Sequence, residues 1–127
     1  MSVTVKQKFI HMAPRKLRLV ADSVRGKAAD AAYASLTIMP RAAAKPVMHA
    51  IKSAVAAAKQ QDLGTSLVIS AVFVDEGPAL KRRIFRSRGR ATRMEHRMSH
   101  LTLTVTPAQA KVKPAKKAPQ NTAEDKE

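Results

Sequence analysis

The chain has 127 residues and a formal net charge of +15 at pH 7, with no cysteine and only four tyrosine or phenylalanine residues. This length accommodates one domain with a modest apolar core. The lack of cysteine excludes disulfides and thiolate metal sites, and the charge indicates a polyanionic partner, nucleic acid ahead of an anionic membrane. The scarcity of aromatic residues favours recognition through charge and shape over base stacking.

The first half of the chain predicts one strand followed by three helices. Residues 2–10 alternate loosely and predict an edge strand. A short helix follows, with Pro14 at its first position and Gly26 as its C-terminal cap. An Ala-rich second helix ends at Pro40, and the third covers about residues 41–61, its regular part beginning near residue 45 because Pro46 fits only a first turn. The predicted buried residues of the first and third helices are Leu17, Val20, Ala21, Val24, Val47, Ile51, Ala54, Val55 and Ala58.

The second half predicts two strands that continue into a long arm. Residues 65–74 are apolar on both faces, as in a central strand, and residues 101–106 alternate leucine or valine with threonine. A structureless loop between these two segments would be unusually long. Both strands are therefore predicted to continue outward as a hairpin over about residues 75–100, reaching about 40 Å. Its turn is predicted between Ser87 and Arg88, beside Gly89.

The predicted arm carries a dense group of cations. Between Lys81 and Arg97 lie eight lysines or arginines, and Glu95 is the only acid. Two-stranded arms are marginal in water, and neighbouring like charges repel. We therefore expect the arm to become ordered only with its partner. Residues 1–106, with the arm included, are predicted to form a single nucleic-acid-binding domain. Residues 107–127 are predicted to form a disordered tail rich in lysine, alanine and proline.

Five segments of the chain together resemble a known family. In order they read PRKLRLVADSVRGK, SAVAAA, VFVDEGPALKRR, RGRA and SHLTLTV. Each segment alone is weak evidence, but the ordered set at these separations is highly specific. Over about residues 10–106 the chain resembles the universal large-subunit ribosomal protein L-twenty-two family, of the bacterial type.

This resemblance implies a fold and a function. The implied fold is α+β: a small three-stranded antiparallel sheet packed against helices, with one long extended β-hairpin. The implied protein is a structural component of the large ribosomal subunit, not an enzyme, and has no cofactor. Its partners would be large-subunit rRNA, neighbouring ribosomal proteins and the nascent peptide in the exit tunnel, with no membrane partner and no homo-oligomer. Its expected location is a cytoplasmic ribosome, an organellar one being left open.

The resemblance and the charge pattern together indicate which residues would line the tunnel and which would bind rRNA. The tip of the hairpin, Arg86, Ser87, Arg88, Gly89 and Arg90, would line the exit tunnel, and residues 80–82 match the family's tunnel-proximal hydrophobic-Lys-Arg run. The candidates for rRNA binding are Arg15, Lys16, Arg18, Arg25, Lys27, Lys81, Arg82, Arg83, Arg86, Arg88, Arg90, Arg93 and Arg97.

Three positions depart from the family pattern. Phe85 stands where a proline is common in the hairpin, which bears on the local bend of the ribbon. Ala13 replaces the usual serine before Pro14, which removes a helix cap worth about 1 kcal/mol. Ala57 stands at a position that usually holds asparagine. Any contact that the asparagine amide would make with RNA or backbone is therefore absent.

Other kinds of function find less support in the sequence. A free-standing architectural nucleic-acid binder with a basic β-ribbon is the alternative, and Phe85 could then act as a wedge between bases. A cationic membrane-active helix ranks third. His96 and His100 would lie about 13 Å apart on a strand, too far to share a metal ion. The four glycines are too scattered for a phosphate-binding loop, and no catalytic motif is present.

Overall fold

The computed structural model describes residues 1–108 of the chain. Its elements, in chain order, are β1 (Val3–Ile10), α1 (Pro14–Val24), α2 (Ala29–Ile38), α3 (Ala44–Gln60), β2 (Leu67–Phe85), a 3-10 turn (Ser87–Gly89) and β3 (Ala91–Pro107). The predicted α+β architecture, with a three-stranded antiparallel sheet, packed helices and a long hairpin, is confirmed. The predicted tail lies, beyond Pro107 and Ala108, outside the described residues.

The strand order of the sheet is β1-β3-β2, so β3 is central and both neighbours pair with it antiparallel. The prediction that residues 65–74 form a central strand is therefore wrong. Between Ile69 and Ala71 the register shifts because a bulge adds one residue to β2. After this extra residue the odd-and-even pattern of buried positions along β2 is reversed, although the buried residues still lie on one face of the sheet. In the sequence this reversal resembles a strand that is apolar on both faces. The buried residues of β2 are Leu67, Ile69, Val72 and Val74.

The apolar core lies between the helices and one face of the sheet. The alternation predicted for β3 is confirmed, because Leu101, Leu103 and Val105 are fully buried. The apolar stripes of α1 and α3 pack against these strands as predicted, except that Val55 is only partly buried. The buried helical residues that contribute to this core include Leu17, Val20, Ala21, Val24, Leu36, Val47, Ile51, Ala54 and Ala58.

The two ends of α1 follow from local sequence. Pro14 occupies the first helical position, and Ala13 before it provides no side-chain cap. After the helix, Gly26 has φ +76°, a conformation that glycine adopts without the steric cost of a Cβ atom. The Gly26 N–H donates to the carbonyl of Ile69 at 2.9 Å. This bond ties the end of α1 to the edge strand β2.

Beyond the end of β1 the sheet narrows to a two-stranded arm. The last β1 pair joins Ile10 to Ser99, whereas the β2–β3 ladder continues from Ala79–Arg97 to Phe85–Ala91. At about 3.3 Å per residue, the ten residues from Ser99 to Gly89 give the arm a length of about 30 Å, shorter than the predicted 40 Å because β1 still pairs with β3 as far as Ser99. Across the ladder at the root, a Cβ on Gly77 would lie 3.1 Å from the carbonyl carbon of Met98, so the two backbones approach closely there.

Candidate nucleic-acid interface

The tip of the arm is a tight turn with no buried side chain. Arg88 and Gly89 both have positive φ, at 59° and 69°, as the two central residues of a type I′ turn require. The Arg86 N–H donates to the Arg90 carbonyl at 2.7 Å and closes the loop. The sequence located this turn to within one residue and also identified Gly89 as a residue that needs positive φ. It did not show that Arg88 shares this conformation.

The ladder divides the side chains of the arm between two faces. Residues directly opposite each other in an antiparallel pair share a face, and the face alternates along each strand. The register joins Lys81 to Glu95 and Arg83 to Arg93, and Ala79 to Arg97. We call the face holding these six residues the cationic face. The other face carries Leu80, Arg82, Ile84, Thr92, Met94 and His96.

The cationic face concentrates charge that the arm does not balance. It holds four of the five lysines and arginines in the paired part of the arm; the fifth, Arg82, lies on the other face. Arg83 and Arg93 are direct cross-strand neighbours, a placement that destabilises an isolated ribbon. The single ion pair on this face joins Glu95 to Arg97 at 3.5 Å. The cationic face is therefore a surface suited to a polyanion.

The cationic face lies on the same side of the sheet as the helices. In β3 the buried Ser99 and Leu101 are followed outward, at two-residue steps, by Arg97, Glu95 and Arg93. No register shift interrupts β3, since the inserted residues at each shift lie in β1 and β2. Face alternation is thus preserved along the strand. Arm and helical body form an inside corner with cations on both walls.

The basic residues of α1 fall into two groups. The Arg18 guanidinium donates twice to the Val74 carbonyl at 3.2 Å, and the Arg25 guanidinium donates to the Val72 carbonyl at 2.9 Å. These bonds pin α1 to the edge strand. Arg25 also pairs with Asp22 at 3.1 Å.

The remaining predicted residues of this region are exposed. Arg15, Lys16 and Lys27 have exposed side chains and donate no side-chain hydrogen bond among the described residues. Neither α1 nor α3 has a side-chain cap or an acid in its first turn, so no carboxylate offsets the positive ends of their helix dipoles.

A cleft of about 1000 Å³ lies at the inside corner between the arm root and the N-terminal ends of α1 and α3. The sequence did not nominate one of its cations, Arg41, which precedes α3 and is far along the chain from the arm. Nothing in the local pattern marks this residue. The cations that line the cleft are Lys16, Arg41, Arg97 and, from the other face of the arm, Arg82.

Other kinds of site receive no support from residues 1–108. Within this range no three histidines, aspartates or glutamates are close enough to hold a metal ion. The Nδ1 atom of His100 accepts a hydrogen bond from the Phe9 N–H at 3.0 Å, so that nitrogen is already used. In the same range no helix is long and apolar enough to cross a membrane.

Comparison with known proteins identifies the family. A family model described as "Ribosomal protein L22p/L17e" matches residues 5–106, which include most of β1 and both arm strands. The chain belongs to this family. Relatives include proteins named "Large ribosomal subunit protein uL22" from Deinococcus deserti, 45% identical over 100 residues, and from Desulforamulus reducens, 45% identical over 101 residues. These alignments cover 77% and 78% of this chain, and 72% and 89% of the respective relatives.

Family membership establishes the general role. The chain is a structural, non-enzymatic component of the large ribosomal subunit and takes part in translation. The resemblance seen in the sequence is thereby confirmed, and so is the expected location in a cytoplasmic ribosome. The alternative of a free-standing architectural protein is not retained, although Phe85, its proposed wedge, is 82% exposed beside the tip.

Proposed function

We propose that the chain binds large-subunit rRNA through the inside corner formed by the cationic face of the arm and the basic side of α1. The observation that carries this proposal is the placement of four of five ladder cations on one face. The chain itself cannot balance those cations, because it has only one acid between Gly77 and Ala108. The phosphates of a nucleic acid would supply the missing negative charge. Arg18 and Arg25 would hold α1 in position while presenting their remaining N–H donors.

The tip completes the proposal. An exposed turn about 30 Å from the root can pass through an rRNA shell while the body stays anchored outside. We propose that the five residues from Arg86 to Arg90 line the peptide exit tunnel and meet the nascent peptide. The chain would act as one copy beside neighbouring ribosomal proteins, since its charge of +15 opposes self-association.

Salt dependence of binding tests the rRNA part. The full chain is titrated with a large-subunit rRNA fragment at several salt concentrations, and the double variant Arg83→Gln/Arg93→Gln is compared with it. Removing two phosphate contacts should lower the slope of log affinity against log salt by roughly one to two units. The control, Lys45→Gln/Lys59→Gln, removes the same charge from exposed positions of α3. Equal slopes for the two double variants would contradict a specific role of the cationic face.

A further inference from the structure

The cleft at the inside corner combines two kinds of surface that phosphate binding alone does not require. Besides its cations it presents apolar side chains, of which Leu19 is 58% exposed. Nothing in the described part of the chain covers this surface. The larger apolar side chains that line it are Met12, Leu19, Leu80 and Met98.

An unstacked nucleotide matches both surfaces at once. Its base offers two apolar faces to leucine and methionine, and methionine sulfur makes favourable contacts with aromatic rings. Its phosphates carry the charge that the surrounding lysine and arginines attract. A regular duplex cannot supply this, because its bases are stacked inside, whereas splayed-out bases are what proteins read in RNA. A volume of about 1000 Å³ accommodates a nucleotide with its flanking phosphates.

Glu95 indicates which base the cleft would take. It lines the cleft, and its side chain is 31% exposed against 62% for its partner Arg97, so its carboxylate is the more recessed of the pair. An acid on a phosphate-binding face opposes binding, but a carboxylate accepts hydrogen bonds from base N–H groups. Guanine presents two adjacent donors, N1–H and N2–H, on its Watson–Crick edge. Uracil presents one donor between two acceptors.

We propose that this cleft binds one unstacked guanine nucleotide of the rRNA, with the base against Met12 and Leu19, its Watson–Crick edge on Glu95, and its phosphates on the lining cations. The inference rests on the proposed rRNA binding and extends it from the phosphate backbone to a base. Glu95 and Arg97 act together, since their ion pair orients the carboxylate.

Four five-nucleotide RNA probes test the choice of base. Each is uridine except at its centre, which is guanine, adenine, cytosine or uracil, and each is titrated against the full chain at one salt concentration. We expect the guanine probe to bind about tenfold more tightly than the all-uridine probe. Glu95→Gln should abolish most of that advantage, because an amide offers one acceptor and two donors in place of two acceptors.

Glu76→Gln is the matched control. It removes the same charge from an exposed carboxylate at the arm root that does not line the cleft. Both variants should bind the adenine, cytosine and uracil probes slightly more tightly through their extra positive charge, but only Glu95→Gln should bind the guanine probe more weakly and so lose the preference. An absence of guanine preference in the unmodified chain, or a preference that survives Glu95→Gln, overturns the proposal.

A cross-linking experiment tests the same site in the ribosome. Leu19 is replaced by a photoreactive benzophenone amino acid in the full chain, which is assembled into large subunits and irradiated. An adduct on an unpaired guanine supports the proposal, whereas an adduct on a base-paired nucleotide or on a protein overturns it. If the chain binds the rRNA fragment but shows no preferred base, the nucleotide site fails and the rRNA proposal stands; if it binds no RNA, both fail.

Discussion

The body and the arm of this protein differ in how much apolar surface they bury. In the body, side chains such as Leu17, Ile51 and Leu103 are at most 1% exposed, and three helices cover one face of the sheet. In the arm, every residue from Leu80 to Arg97 is exposed. The same two strands, β2 and β3, run through both regions. Continuous hydrogen bonding therefore gives the arm its shape without giving it a core.

This difference shows that strand register and a suitable turn can specify the shape of the arm, whereas stability depends on apolar burial. The arm has a defined register and a suitable turn, but it buries little apolar surface and places like charges side by side. Since apolar burial is the main favourable term in folding, we expect the arm to be only marginally ordered in the free protein. The missing stabilisation would come from phosphates in the bound state.

Limited digestion with trypsin tests this contrast most directly, and we expect its largest effect. Sites in the arm such as Lys81 and Arg83 should be cut about a hundredfold or more faster than sites in the helices such as Arg18 and Lys52, because local opening costs far less where contacts are few. Mass spectrometry of early fragments measures this. Prior binding of rRNA should protect the arm, and protection without RNA would contradict the marginal order that we expect.

Truncation of matched isoleucines should show where stability resides. Ile51→Ala, at a site 1% exposed, should lower the free energy of unfolding by about 2–5 kcal/mol. Ile84→Ala, in the arm and 41% exposed, should change it by less than about 0.5 kcal/mol. Urea unfolding followed by circular dichroism checks both. Equal losses would mean that the arm is part of the cooperative core.

A methyl group at the junction of the two regions should have an intermediate effect. Gly77→Ala places a Cβ 3.1 Å from backbone carbon and 3.2 Å from backbone oxygen of Met98. Because backbone cannot move aside as a flexible side chain would, the root of the ladder should part and the protein should lose about 1–2 kcal/mol. Gly89→Ala meets nothing within 4 Å; its strained φ affects only the tip. A thermal melt in which Gly89→Ala is the less stable variant would reverse this assignment.

Replacement of the tip should have the smallest effect on stability. With an Asn-Gly turn in place of residues 86–90, the melting temperature should stay within about 2 °C, since no buried side chain is removed. The variant should still assemble into subunits. If the tip lines the tunnel as proposed, passage of stalling nascent peptides and sensitivity to macrolides should change.

Two outcomes of this replacement would contradict the division of roles. A much lower melting temperature or failed assembly would show that the tip is structural. Normal assembly with both tunnel properties unaltered would show that the tip does not line the tunnel in this protein.

Several parts of the candidate site could be predicted because they depend on local order along the chain. The turn at Gly89 was located from the midpoint between two strand segments. The exposed cations of the arm were predicted from the density of lysine and arginine between Lys81 and Arg97. The edge position of β2 could not be predicted, because the bulge after Ile69 makes an alternating strand resemble one that is apolar on both sides. Likewise, Arg41 reaches the cleft only through the packing of α3 beside the arm root.

By itself, the sequence determined the elements of this protein and the total charge that it presents. Apolar periodicity, Pro14, Gly26 and Gly89 act within a few residues of themselves, so their consequences can be seen locally. Only the tertiary structure decided which face of the arm carries the cations, which arginines hold α1 against β2, and which residues enclose the cleft. Those properties depend on strand register and on contacts between segments far apart in the chain, and a shift of one residue would exchange the two faces of the arm.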